Sequence, residues 1–145
     1  MARMWVCVHT LTGLALGALS PWSLGLTLLA ALVLHVLLDL VPHWDYSSCP
    51  RVVLWAGLDV GASAVALLVV ALTIEHGWII ALVGWVSALP DLDVFDALLP
   101  EAKRRRWFPS HWSSFPHGRA SPAFGITVQM VLVLASFLAI VLSQI

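Results

Sequence analysis

The chain has 145 residues, 61% of them hydrophobic and only 10% charged, with a mean hydropathy of +0.96. A soluble domain is usually about 45–50% apolar and about 25% charged, so this composition argues against an ordinary soluble fold and for an all-α, multi-pass transmembrane bundle. One such domain, residues 1–145, accounts for the length. Cys7 and Cys49 are too few for a disulfide framework.

About five hydrophobic helices are expected. The first, Met4–Leu19, is near the short limit for a span and carries Gly13 and Gly17, a small-xxx-small pair that allows close helix contact. Arg3, the apolar stretch and Ala18-Leu19-Ser20 mimic a secretory signal, but His9 and Thr10 interrupt the run and no cleavage is expected. The Ser20-Pro21 turn then makes an antiparallel hairpin with the second helix, Trp22–Val41. The third, Val52–Ile74, is long enough to span. The fourth, Trp78–Leu89, has only twelve residues before Pro90 breaks or kinks it. At about 18 Å it falls short of a hydrocarbon core of about 30 Å, so Asp91 and Asp93 are expected roughly 10 Å inside the boundary, against protein or water. Residues 90–122 read as a cytoplasmic loop with a short helix or kinked extension, and Ala123–Leu142 as the last span.

Threading these segments alternately puts Arg3, Arg51, Lys103, Arg104, Arg105, Arg106 and Arg119 on one side, and no Lys or Arg on the other. By the positive-inside rule that side is cytoplasmic, with the N-terminus in and the C-terminus out, in a plasma (inner) membrane. The same side collects His9, His35, Asp39, His43, Asp45, Asp59, Asp91, Asp93, Asp96, His111 and His117, whereas Glu75 and His76 mark the opposite boundary.

His35-x3-Asp39 is the strongest local signal. At i and i+4 the two side chains share one helix face, about 5–6 Å apart at Cβ, a spacing that can clamp one metal ion. Pro42 ends the helix and leaves His43 and Asp45 just above. The alternative is a proton-sharing pair that ties helices together. A carboxylate at a helix centre costs about 2.5–3.5 kcal/mol on the lenient insertion scale, and a divalent cation offsets such costs when several carboxylates converge. Asp59 reads as a ligand or a partner of one, with a hydrogen bond to Trp55, Ser63 or His9 as the alternative. Asp91 and Asp93 supply two carboxylates in a bend, or cap a helix running on to Leu99. His111 and His117 flank a Trp-Ser-Ser-Phe-Pro loop as ligands or plain loop histidines.

His9 followed by a Gly-rich helix, His35-x3-Asp39 leading into Pro42-His43-Trp44-Asp45, Leu89-Pro90-Asp91-Leu92-Asp93 and the late histidines together resemble the predicted membrane-bound metal-dependent hydrolases, small helical inner-membrane proteins. More distantly the chain resembles zinc-dependent phospholipase C, whose His-x3-Asp-x3-Pro-x-His string is matched by His35, Asp39 and His43 with the Pro–His spacing one residue shorter. The residues and the resemblance together point to a divalent metal, zinc ahead of manganese or magnesium, held by His9, His35, Asp39, His43, Asp91 and Asp93, with Asp59 added as an intramembrane carboxylate. Asp45, His111 and His117 are then the acid–base candidates. The expected activity is hydrolysis of a phosphoester on a lipid or amphiphile at the cytoplasmic membrane face. Membrane lipids are the expected partners, with anionic headgroups at Lys103, Arg104, Arg105 and Arg106. Four adjacent basic residues make a weak case for nucleic acid, and a homo-oligomer is compatible with this reading. The alternatives are a metal-ion or proton transporter and a non-catalytic membrane subunit.

Overall fold

In the computed structural model, which describes residues 4–92, 108–112, 114–116 and 118–145, the described residues fold into five α-helices with no strand beyond one isolated bridge. They are α1 (Val6–Leu19), α2 (Leu24–Leu40), α3 (Val52–Thr73), α4 (Gly77–Ala88) and α5 (Pro122–Leu142). Two short 3₁₀ turns, Tyr46–Ser48 and Pro109–His111, sit in the connections. The second helix is shorter than its apolar run, because the backbone stays extended through Ser23 before the first helical turn. Helices α3 and α5 are long and apolar enough to cross a membrane; α1, α2 and α4 are shorter.

Helix α1 is the hub. It packs on all four other helices and most closely on α4. Glycine makes that approach feasible, since a Cβ on Gly13 would stand 2.5 Å from Ser87 Cβ and one on Gly84 would stand 2.7 Å from Leu14 Cγ. The small-residue pair anticipated on α1 is therefore the seam against α4.

The polarity of the molecule is inverted. Only 11% of the most apolar window of α3 and 22% of that of α5 is buried. Large side chains such as Leu26, Leu29, Val53, Leu72, Leu134 and Phe137 point outward. Inside, His9, His35, Asp39, His43, Asp91, His111 and Gln129 are almost fully enclosed. A water-soluble fold arranges these classes the other way round.

The two ends of the bundle differ. Leu14, Ala15, Val70, Ile80 and Ile140 form an apolar cluster that draws in Leu11, Leu67, Ile74 and Ala139. At the other end the chain is cross-tied by hydrogen bonds. The Trp5 N–H donates to Gln129 Oε1 at 3.1 Å, and Gln129 Nε2 donates to the Trp44 carbonyl at 3.0 Å. The segment 118–120 lies along the end of α2, with the Gly118 N–H on the Asp39 carbonyl, the His43 N–H on the Gly118 carbonyl and the Ala120 N–H on the His43 carbonyl. This bridge fixes where α5 begins relative to α2.

Candidate metal centre

The cross-tied end gathers five side chains from separate parts of the chain. His9 comes from the second turn of α1, His35 and Asp39 from the last turns of α2, Asp91 from just beyond α4, and His111 from the Pro109–His111 turn. His9 Nε2 lies 3.5 Å from Asp39 Oδ1 and 3.6 Å from Asp91 Oδ2. His35 Nε2 lies 3.3 Å from Asp39 Oδ2. His111 Nε2 lies 3.7 Å from Asp39 Oδ2 and 3.4 Å from Asp91 Oδ1. All five residues are at most 2% exposed. Two overlapping sets, His9–His35–Asp39 and His35–Asp91–His111, present ligand atoms within 4.8 Å of one another.

These separations carry chemical information. Charge-assisted N–H···O contacts close to about 2.7–2.9 Å, and ordinary ones to about 3.2 Å at most. The five contacts here are all longer. Atoms bound about 2.0–2.2 Å from a four-coordinate zinc stand roughly 3.3–3.6 Å apart, and four of the five separations here fall in that range, the fifth being 3.7 Å. The tautomer of His35 agrees. Its Nδ1 lies 2.8 Å from the Ser87 carbonyl, which can only accept, so Nδ1 carries the proton. In the neutral ring Nε2 then presents a lone pair to the Asp39 carboxylate, two acceptors face to face. A cation between them removes the conflict, and a backbone carbonyl behind a ligating histidine is the usual outer support. His9 Nδ1 and Nε2, His35 Nε2, Asp39 Oδ2 and Asp91 Oδ2 make no hydrogen bond among the described residues although all are buried, which leaves them open to an ion or to water.

The rings are packed as well as positioned. His9 and His35 stack with centroids 4.0 Å apart, and Phe108 meets His35 edge-on at 5.5 Å.

Other residues singled out by sequence stand elsewhere. Asp59, expected to be a metal ligand, caps α1 from outside that helix. Its two oxygens accept the Val6 and Cys7 N–H groups, both at 2.8 Å, and the Tyr46 hydroxyl at 3.0 Å. Trp5, at the N-cap position, supplies no side-chain cap, so Asp59 satisfies backbone donors that a buried helix start would leave open, and its charge suits the positive end of the dipole. Burial and the adjacent Asp59 carboxylate push the Tyr46 phenol well above its usual range, which keeps it a donor. Asp45, expected as an acid–base group, spends both oxygens on Ser47, at 2.8 Å to its N–H and 2.6 Å to its hydroxyl, closing a local turn.

His43 is buried beside the centre but outside both ligand sets. Its Nδ1 donates to the Val41 carbonyl at 2.8 Å, and Nε2 has no hydrogen-bond partner among the described residues. Burial holds its pKa below the ordinary histidine value. Cys7 and Cys49 are free thiols outside both sets. Asp93, Asp96, His117 and the basic residues Lys103, Arg104, Arg105 and Arg106 lie outside the described residues.

Sequence reasoning missed Gln129 and the Ser87 carbonyl. A lone Gln in the apolar run of α5 was a usable signal, because an amide in such a run needs partners. A backbone carbonyl leaves no signal at all. No protein-family profile, curated protein or solved structure matches the chain.

Proposed function

We propose that this is a multi-pass membrane protein whose cytoplasmic end holds a divalent metal and hydrolyses the phosphoester of a lipid or other amphiphile. His9, His35, Asp39, Asp91 and His111 supply the ligands, with zinc favoured by an imidazole-rich set that also contains carboxylates. The observation that carries this reading is that three imidazole Nε2 atoms and two carboxylates, all buried, face one another in five N–O pairs 3.3–3.7 Å apart. The membrane assignment is supported by the outward apolar faces of α3 and α5. Bound zinc lowers the pKa of its water to about 7 and polarises a phosphoryl oxygen.

The chain's own residues have distinct tasks in this reading. Ser87 orients the His35 ring through its carbonyl. His43, whose Nδ1 proton is held by the Val41 carbonyl and whose Nε2 makes no hydrogen bond among the described residues, is the base this reading assigns for the nucleophile's proton. Phe108 walls the His35 ring on one side. The apolar cluster at the opposite end argues against transport, because an ion leaving the centre in that direction would meet Leu14, Val70 and Ile80 instead of polar groups.

The test is elemental analysis of the purified chain together with phosphate release from phosphatidic acid in mixed micelles. Stoichiometric metal, loss of release on chelation and its return with zinc are expected. A fully folded protein without metal, equally stable with and without added zinc, would overturn the reading.

A further inference from the structure

A cleft runs between α1, α3 and α4 at the level of the candidate centre. Val6 and Thr10 of α1, Ser63 and Ala64 of α3, Trp85 of α4 and the buried Asp91 line it. Its free volume is about 170 Å³ and its walls are predominantly apolar. Trp85, the aromatic of its lining, is 46% exposed, whereas Asp91 is buried. Asp91 links this space to the cluster. Its Oδ2 lies 3.6 Å from His9 Nε2, makes no hydrogen bond among the described residues, and belongs to a residue only 2% exposed.

An apolar cleft that reaches a cluster carboxylate has one polar pole and one hydrocarbon pole. It is far too narrow for a helix, whose diameter with side chains is about 10 Å. At roughly 30 Å³ for a water-sized group, its volume matches about five or six such groups, the bulk of part of an aliphatic chain. We propose that this cleft seats the hydrocarbon chain of a phosphorylated amphiphile, which enters sideways between α3 and α4 and brings its headgroup to Asp91 and His9. This rests on the metal-hydrolase reading above for what happens to the headgroup, but not for the seating of the chain.

The experiment uses the full chain in detergent micelles and a phosphatidic acid carrying a diazirine midway along one acyl chain. Photolabelling should fall on the α3 segment 60–67 and the α4–Asp91 segment 85–92. Excess lysophosphatidic acid should suppress that labelling, and excess glycerol phosphate, which has no chain, should not. Ala64→Trp adds bulk at an exposed position on the cleft wall and should lower the saturable labelling about tenfold, the affinity of roughly two buried methylenes. Labelling spread evenly over the outer faces of α3 and α5, indifferent to competitor and to Ala64→Trp, overturns the proposal. Phosphate release measured in parallel separates the two ideas. Release without saturable cleft labelling retires the chain site and leaves the hydrolase, while saturable labelling without release under zinc retires the hydrolase and leaves the chain site.

Discussion

The two ends of the bundle solve opposite problems with the same helices. At one end Leu14, Val70, Ile80 and Ile140 pack carbon against carbon, and no group there asks for a partner. At the other, His9, His35, Asp39, Asp91 and His111 are enclosed just as completely but keep separations too long for hydrogen bonds. Packing alone accounts for the first end. The second needs compensation, by a cation between its atoms or by protons on its imidazoles, because uncompensated burial of such groups costs several kcal/mol for each ion even after relaxation. An apolar end can be judged complete from its contacts, whereas a polar end poses a question that only a binding measurement answers.

The sharpest way to break this contrast is one substitution at each end. Asp39→Asn keeps the shape but removes the carboxylate that three imidazoles share. Zinc affinity should fall by more than about 100-fold, beyond the 10–100-fold typical of outer partners, as read by competition with a chromogenic chelator. Leu14→Ala at the apolar end should lower thermal or denaturant stability by about 2–4 kcal/mol, the usual range for a buried leucine, and leave zinc stoichiometry unchanged in the folded fraction. If Asp39→Asn kept full zinc affinity, the two ends would not differ in kind.

Asp59 sharpens the contrast because it lies at the polar end yet does structural work. Asp59→Asn keeps one acceptor oxygen and replaces the other by a donor that faces a backbone N–H. A loss of about 1–3 kcal/mol in stability is expected, the range for hydrogen bonds to a charged group, with zinc bound per folded chain unchanged. Elemental analysis alongside a denaturant titration checks both halves. Zinc loss without destabilisation would return Asp59 to the ligand set.

The contrast also shows what could be read in advance. Apolar runs bounded by Ser20-Pro21, Pro42 and Pro90 placed all five helices to within about two residues at most ends, because helix limits here follow local chemistry. His35 and Asp39 were legible for the same reason, being one helical turn apart on one face. His9, Asp91 and His111 were legible by type and depth only, since their convergence depends on α1 packing against α4 through Gly13 and Gly84. Asp59 was misjudged because depth along a helix does not say which neighbour it meets, and the neighbour is the N-terminus of α1. The local turn at Asp45 was also readable, since Ser47 two residues on is the partner an Asx turn predicts.

The smallest expected effect lies on the seam between the two ends. Ser87 touches His35 through its carbonyl, while its hydroxyl is buried and makes no hydrogen bond among the described residues. Ser87→Ala therefore removes an unsatisfied polar atom and keeps the support of the ring. Zinc affinity should change less than about threefold, and stability should hold or rise by up to about 1 kcal/mol, the desolvation penalty recovered. Chelator competition and a melting curve on the same sample decide it. A large fall in zinc affinity would mean that the hydroxyl, and not the backbone carbonyl alone, holds the centre together.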